Sequence, residues 1–252
     1  ADVILNSGTI ILGGSRNADT AENIGDLVFQ SDVSTVQIDA DNLFNNFAYL
    51  NPNTFLRSNA ATAFIRGEQL GEPYTATTNY YSRLAKDRGQ ANPTLALTAP
   101  ISGSNTPSVG IVHWAYGQED SRAAGLVQSN LGLVTYDRTT NSAGAENGFR
   151  LLRTNEYNYQ TFDLGGNVWI TNGMYGSANL GGTVTLTSNT VIHSLVYQKT
   201  STNSAATILA LGANLLTIES GALLSMGSGS GSSHQITRSG TGGLTFGNVS
   251  NG

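Results

Sequence analysis

The sequence predicts an all-β fold in which short strands and turns wind into a solenoid, one coil stacked on the next. Strand-like runs recur roughly every 7 to 16 residues in the second half of the chain, and the segments between them are too short and too irregular for helices. Gly, Ser, Asn and Thr separate the runs, which are rich in β-branched residues and leucine. The runs cover residues 168–171, 184–187, 194–197, 207–211, 215–218, 222–224, 235–237 and 243–246.

The first forty residues also consist of short strand-like runs separated by turn residues. Val36 and Ile38 alternate with Thr35 and Gln37, which places the two apolar side chains on one face of a half-buried strand. Because both ends of the chain read as solenoid, we predict a single β-solenoid segment over residues 1–252. The strand-like runs of this part cover residues 3–5, 9–12, 26–29 and 34–38.

Residues 41–130 differ from both flanks, since all prolines and many aromatic residues of the chain lie there. Proline lacks the N–H that an interior strand donates, so these residues are expected to lie outside the stacked sheets. We interpret residues 41–130 as an irregular insertion packed against the solenoid, with short helical turns near 41–48 and 80–86. The prolines are Pro52, Pro73, Pro93, Pro100 and Pro107.

Strands are expected to resume toward the end of this range. A strand is predicted over residues 109–115, at the edge of the insertion. Two more are predicted over residues 132–136 and 148–152, joined by a polar turn at 139–147. Regular solenoid coils then occupy residues 163–252.

Each regular strand is expected to turn one set of apolar side chains into the solenoid interior. A register shift of one residue would move a whole set to the outer face, so the register remains open by one position. The residues expected to line the interior are Val168, Ile170, Val184, Leu186, Leu195, Ile208, Leu216, Ile218, Leu223, Ile236 and Leu244.

The backbone hydrogen bonds of a solenoid run between coils about 4.8 Å apart, so only the terminal coils keep an open edge. Open coils need caps or further copies, and residues 246–252 contain no polar cap. We therefore expect an excerpt of a longer chain or a repeating unit. Its partners would be copies of itself, or adjacent repeats of the same chain, stacked end to end.

Charge is scarce. Charged residues make up 12% of the chain, against roughly 25% in typical soluble domains. After Asp163 only Lys199, Glu219 and Arg238 are charged, so this half offers no basic stripe for nucleic acid and no polybasic patch for lipid. The absence of cysteine excludes disulfides and thiolate chemistry. No apolar run of about 18 residues is present, so this segment is not expected to insert into a membrane.

Several segments resemble the autotransporter-associated β-strand repeats of very large secreted bacterial proteins. They are GGTVTL at 181–186, the segments 214–224 and 237–246, the strand-preceding coil 23–29, and a middle segment at 132–137, 147–152 and 156–157. The resemblance implies a right-handed parallel β-helix, export to the surface or exterior of a Gram-negative-type bacterium, and a role in fibres, surface structures or adhesion.

A cation site is one candidate feature. Asp39 and Asp41, with Asn42, begin like an oxygen-ligand calcium loop. Leu43 stands where a third ligand is needed and no glutamate follows at the required distance, so a polar strand end is the simpler interpretation. The three histidines have no ligand-like spacing. No metal or cofactor is predicted.

The leading functional expectation is a structural component of an extracellular fibre, stalk, sheath or adhesin, without catalytic residues. The alternative is a carbohydrate-binding adhesive module for surface polysaccharide. In that alternative Trp114, Tyr116, Tyr80 and Tyr81 form a stacking platform, although a small core under the insertion would explain the same aromatic residues.

A β-helical polysaccharide lyase or hydrolase is the third hypothesis, since this chemistry needs carboxylates that converge on a groove. Adjacent carboxylates in a strand point to opposite faces, which disfavours Glu119 and Asp120 as a pair. The candidate residues are Asp32, Asp39 and Asp41 with Arg57 or Arg66, and Glu119 and Asp120 near His113 and Trp114.

Overall fold

Stacked parallel strands form a β-solenoid of about 6 turns, as the sequence predicts. The described residues form strands and turns with one 3₁₀ turn at Thr154–Glu156 and no α-helix, so the all-β class is confirmed. Within them, no helix has the length and apolar character needed to cross a membrane. The computed structural model describes residues 1–15, 17–40, 46–71, 82–85, 107, 109–119, 130–140, 146–159, 161–162, 165–171, 183–199, 208–227 and 234–247.

The chain divides into two compact units. Unit 1 comprises residues 1–97 and 111–152, and unit 2 comprises residues 98–110 and 153–252. That residues 1–252 form one solenoid segment therefore stays a prediction.

The described residues of unit 1 form ten strands, of which the first eight alternate between two sheets as the chain winds and the last two join the second sheet. They are β1 (Val3–Asn6), β2 (Thr9–Gly13), β3 (Thr20–Ser31), β4 (Val33–Asp39), β5 (Ala48–Arg57), β6 (Thr62–Gly67), β7 (Ser82–Leu84), β8 (Ala115–Glu119), β9 (Asn130–Thr140) and β10 (Glu146–Leu151). The first sheet has the order β1-β3-β5-β7 and is wholly parallel. The second has the order β2-β4-β6-β8-β9-β10, in which β9 and β10 are antiparallel.

The core of unit 1 follows from period-2 alternation in its strands. Val36 and Ile38 are fully buried, whereas Thr35 and Gln37 are half-buried, so the predicted face is confirmed. Leu27 and Phe29 of β3 join the same apolar cluster. Burying one such aliphatic side chain contributes about 1.5–3 kcal/mol, so these alternating positions hold the two sheets together.

The interpretation of residues 41–130 as an insertion is corrected where strands lie. The four strands β5, β6, β7 and β8 fall in this range and continue the parallel sheets. Even Pro52 lies in β5, opposite Ile24. It is tolerated because β7 pairs only with residues 48–50 of β5, so no described strand lies beside Pro52 on that side to receive a missing N–H.

Two local predictions in this range are also wrong. Residues 82–84, expected near a helical turn, form strand β7. The strand expected over 109–115 begins only at Ala115. Residues 109–114 are irregular and buried apart from the half-buried His113, and Val112 donates its N–H to the carbonyl of Val134 at 2.9 Å. An apolar run cannot by itself distinguish a strand from a buried irregular segment.

Unit 2 is a three-sided parallel solenoid. Its strands are β11 (Asn158–Tyr159), β12 (Asn167–Thr171), β13 (Thr183–Thr185), β14 (Thr190–Ile192), β15 (Ser194–Lys199), β16 (Ile208–Ala210), β17 (Leu215–Ile218), β18 (Leu223–Gly227), β19 (Gln235–Thr237) and β20 (Gly243–Phe246). The three sheets have the orders β11-β12-β15-β18, β13-β16-β19 and β14-β17-β20. None of these described pairs contains a register shift.

Most of the predicted interior of unit 2 is confirmed. The apolar cluster contains Val168, Ile170, Leu186, Leu195, Leu216 and Ile218, with Val184 and Leu244 partly buried against it. Ile208 is wrong by one residue, since Leu209 is fully buried and Ile208 faces outward. Leu223 and Ile236 are each 38% exposed, because β18 and β19 have a described strand on one side only.

Candidate functional site

Side chains in unit 2 form ladders between successive coils. The Thr217 and Thr245 hydroxyls lie 2.9 Å apart on adjacent strands. Inside the solenoid, the Ser194 hydroxyl donates to the side-chain oxygen of Asn167 at 2.6 Å, across a step of 27 residues. Such contacts satisfy polar groups from one coil to the next. Each coil therefore provides both the backbone edge and the side-chain pattern on which the next coil stacks.

The strands β18, β19 and β20 form the last described coil of unit 2, here called the open coil. Leu223 pairs with Leu195 and Phe246 pairs with Ile218. Leu195 and Ile218 are fully buried, whereas Leu223 is 38% and Phe246 is 52% exposed. The open coil thus presents apolar side chains and three strand edges, the features that pair with added strands.

The corresponding end of unit 1 is covered. Strands β9 and β10, here called the hairpin, follow β8 and reverse the strand direction. The rings of Phe55, Tyr136 and Phe149 meet edge to face, with centroids 5.0 to 5.9 Å apart. All three rings are buried. The hairpin therefore adds its own aromatic residues to the core instead of leaving that core exposed.

A buried ion pair ties the two strands of the hairpin together. Arg150 Nε donates to Asp137 Oδ2 at 2.9 Å, and their side chains are 1% and 7% exposed. Burial alone would raise the pKa of Asp137, but hydrogen bonds from Thr139 and the charge of Arg150 outweigh it and lower that pKa below its ordinary value. The carboxylate is therefore held ionised against Arg150.

Trp114 does not belong to a binding platform. Its side chain is 7% exposed and lies in the apolar core, with its ring centroid 5.3 Å from that of Phe29. Packing in the core accounts for this tryptophan, so its prediction as a carbohydrate ligand residue is corrected.

Tyr116 lies on the outer face of β8 and stacks on Phe64 of β6. The two ring centroids are 4.8 Å apart and the rings are inclined by 20°. This distance equals the spacing of neighbouring strands, so each ring covers a face of the other. A sugar needs a free ring face, and the facing surfaces of this pair are occupied. Tyr80 and Tyr81 lie outside the described residues.

The candidate cation ligand Asp39 ends strand β4 and accepts a hydrogen bond from the Gln37 amide at 2.7 Å. Its neighbour in the prediction, Asp41, lies outside the described residues. Among the described part of the chain, no group of three or more His, Cys, Asp or Glu residues could hold a metal ion.

The residues considered for hydrolysis are spread over several strand ends. Asp32 lies between β3 and β4 with a φ of 50°, and Glu119 ends β8 opposite Asn130. Arg57 ends β5, where its Nε donates to the carbonyl of Ala61 at 2.8 Å. Asp120 lies outside the described residues.

His193 is a buried residue at the corner between β14 and β15. Its side chain is 3% exposed, and its carbonyl accepts from the Ser220 hydroxyl of the next coil at 2.5 Å. Burial lowers the pKa of His193, and the nearby charge of Glu219 opposes this in part. The imidazole is therefore neutral at physiological pH.

Sequence reasoning missed two side-chain pairs that depend on strand pairing. The Asp137 and Arg150 pair is 13 positions apart, and only the antiparallel register of the hairpin brings its members together. The stacking partner of Tyr116 is Phe64, which is distant in the sequence but lies on the neighbouring strand β6. A signal for the hairpin was present, since a polar turn separates two predicted strands that the structure confirms.

No family model matches the sequence, and no curated protein or solved structure is significantly similar to it. The resemblance to autotransporter-associated repeats remains a prediction.

Proposed function

We propose that the protein is a structural component of an extracellular bacterial fibre, stalk, sheath or adhesin, in which it acts as a rigid β-solenoid. The observation that carries the proposal is the uninterrupted register of unit 2. Apart from the β11–β12 pair, the paired strands of its three sheets repeat in steps of 25 to 28 residues, without a shift in any described pair. A body whose coils repeat in register is stiff along its axis and can be extended by further coils.

The exposed surface of the open coil supports the same proposal. Ile236 is 38% exposed, while its partner one coil earlier, Leu209, is fully buried. Another coil stacked in register, from a copy of the protein or from an adjacent repeat of a longer chain, would bury Ile236 and pair the edge of β19. Apolar burial contributes about 25 cal/mol for each Å² removed from water, so such stacking is favourable.

Electron microscopy of the native assembly tests the structural role. We expect straight rods or filaments whose length grows by whole units, and a sedimentation coefficient that rises with protein concentration. Discrete round particles of constant mass at every concentration would contradict the proposal.

The location is tested separately on cells that produce the protein from its own gene. A protease added to intact cells should cleave it, while a cytoplasmic marker in the same cells stays intact. Protection of the protein until the cells are lysed would count against an extracellular role.

A further inference from the structure

We propose that the hairpin is a built-in end cap, which prevents unit 1 from adding another strand or coil at β7 and β8. This inference rests on the proposed function, since an end cap matters in a protein whose coils stack. Strand β8 pairs with β6 on one edge and with β9 on the other, so neither edge is open. The end of the second sheet is thus occupied by the chain itself.

The hairpin also covers the end of the first sheet. Arg83 of β7 donates from Nη1 to the carbonyl of Glu146 at 3.3 Å. Gly148 has a φ of 81°, and a Cβ there would collide with the carbonyl oxygen of Leu84. Only glycine tolerates both the backbone angle and this close approach. One hairpin therefore covers the last strands of both sheets.

The covered outer side of β10 is what makes the hairpin a cap and not another coil, since a Cβ on Gly71 would collide with the carbonyl oxygen of Phe149. A further parallel coil would have to stack on an exposed edge, but β10, the outermost strand of its sheet, is buried. Asn147, Phe149 and Arg150 are 6%, 0% and 1% exposed. Proteins commonly protect sheet edges by covering them, which blocks association through strand pairing.

The cap is fastened by contacts of two kinds. Val134 of β9 accepts a backbone hydrogen bond from Val112 at 2.9 Å, and a Cβ on Gly117 would lie 2.5 Å from Val134 Cγ1. Gly117 therefore leaves the space that Val134 occupies. The ion pair of Asp137 and Arg150 holds the hairpin strands to each other. Loss of this pair should weaken the pairing of β9 with β10 and so the attachment of β9 to β8, and the Val112 amide, which is bonded to β9, reports the release.

The test uses the full chain with Asp137→Asn and Arg150→Gln combined. The matched control is Arg138→Gln, which removes a charge from an exposed position of the same strand. Amide exchange at Val112 is expected to quicken about 10-fold in the double variant, because the hydrogen bonds that Arg150 donates to Asp137 and to the carbonyl of Leu151 are lost. Analytical ultracentrifugation should show more association than the wild type at every concentration. The control should match the wild type in both measurements.

A proline in β8 identifies the surface responsible. Glu119→Pro, added to the double variant, removes an N–H from the edge of β8 that faces β9 and is expected to abolish the additional association. Association that persists with this proline, or a released hairpin without additional association, would overturn the proposal. If the double variant loses its β-sheet circular dichroism, Arg150→Lys alone is used, since it keeps the charge and removes the Nε contact with Asp137. Unchanged Val112 exchange in both variants would also overturn it.

Different results would contradict the proposed end cap and the proposed structural role. Filaments seen by microscopy with no effect of the hairpin variants would remove the cap and leave the structural role. Round particles of constant mass in the wild type would remove the structural role.

Discussion

The hairpin end of unit 1 and the open coil of unit 2 are built from similar strands but treat their apolar residues in opposite ways. Phe149, on the last strand of the hairpin, is fully buried, whereas Phe246, on the last strand of the open coil, is 52% exposed. The difference lies in whether the last strand is covered. The open coil has no described strand beyond it, whereas strand β10 of the hairpin is buried and its Phe149 carbonyl lies against Gly71.

The comparison extends to polar groups. The hairpin end buries a charged pair, Asp137 and Arg150, and a cation over an aromatic ring, with Arg83 Cζ 4.5 Å from the centroid of Tyr49. In the regular coils of unit 2, neutral side chains form hydrogen bonds between coils, as the hydroxyls of Thr217 and Thr245 do. Charged groups buried in pairs require specific partners, while neutral ladders can repeat indefinitely.

The largest effect is expected from a charge placed inside the stack of unit 2. Ile218→Asp should destabilise unit 2 by about 4 kcal/mol or more, because Ile218 is fully buried and the carboxylate would have no partner. Leu223→Asp is the matched control at the open coil, with an expected loss below about 1 kcal/mol. Urea unfolding with amide exchange in unit 2 measures both. Equal losses would show that the open coil is covered in solution.

The two ends can be compared by removing one aromatic ring from each. Phe149→Ala should cost about 3–4 kcal/mol, because it removes a ring from the buried trio with Phe55 and Tyr136 and leaves a cavity. Phe246→Ala should cost about 1 kcal/mol or less, since its ring is half exposed already. Thermal and urea unfolding of both variants provide the measurement. A reversed order would contradict the assignment of the hairpin as the closed end.

Acidification is expected to separate the two units. The lowered pKa of His193 means that the unfolded chain takes up the proton first, so stability of unit 2 falls as pH drops below the ordinary value of 6.5. The lowered pKa of Asp137 stabilises unit 1 above its ordinary value of 3.8, and this contribution is lost as pH falls through the folded value.

Amide exchange measures the two effects in one sample. In unit 2 the reporter is Ser220, whose N–H donates to the carbonyl of His193, and in unit 1 it is Leu152, bonded to Leu133. Ser220 should lose protection at a higher pH than Leu152. His193→Gln should remove the earlier transition, and Asp137→Asn the later one. Simultaneous loss at both amides would mean that the two units unfold together.

The smallest effect concerns the outer face of unit 1. Phe64→Leu, Tyr116→Leu and their combination should reveal a coupling free energy of about 0.5–1.5 kcal/mol, as expected for stacked rings. A glycan array probed with the wild type and Tyr116→Leu provides the contrast. Glycan binding that disappears with this substitution, without coupling to Phe64, would favour the carbohydrate-binding alternative.

A structural feature of this protein can be predicted from the sequence when it depends only on residues close together in the chain. Alternation of Val36 and Ile38 with polar residues predicts the inward face correctly, because a strand alternates its side chains whatever it pairs with. The sequence predicts Ile208 as the interior residue, whereas Leu209 is buried. Both residues are apolar, so the sequence does not indicate which of them faces the interior. Pro52 misleads because its tolerance depends on where β7 stops, which no local pattern contains.

The candidate carbohydrate-binding residues show the same limit of prediction from local sequence. A list of aromatic residues suggests a platform, but Trp114 is in the core with Phe29, and Tyr116 is stacked on Phe64. An aromatic residue in the sequence predicts that its ring will make a large apolar contact. Whether that contact is another ring or a sugar depends on which strand becomes its neighbour.

The sequence alone determined the all-β class, the coil-on-coil arrangement and most inward positions of unit 2, because these depend on periodicity and turn residues within short windows. The tertiary structure alone decided that the chain reverses at the hairpin, that Asp137 meets Arg150, and that Phe149 is buried while Phe246 is exposed. The physical reason is that strand pairing joins residues distant in the chain. A strand carries its own alternation, but not the identity or direction of its neighbour.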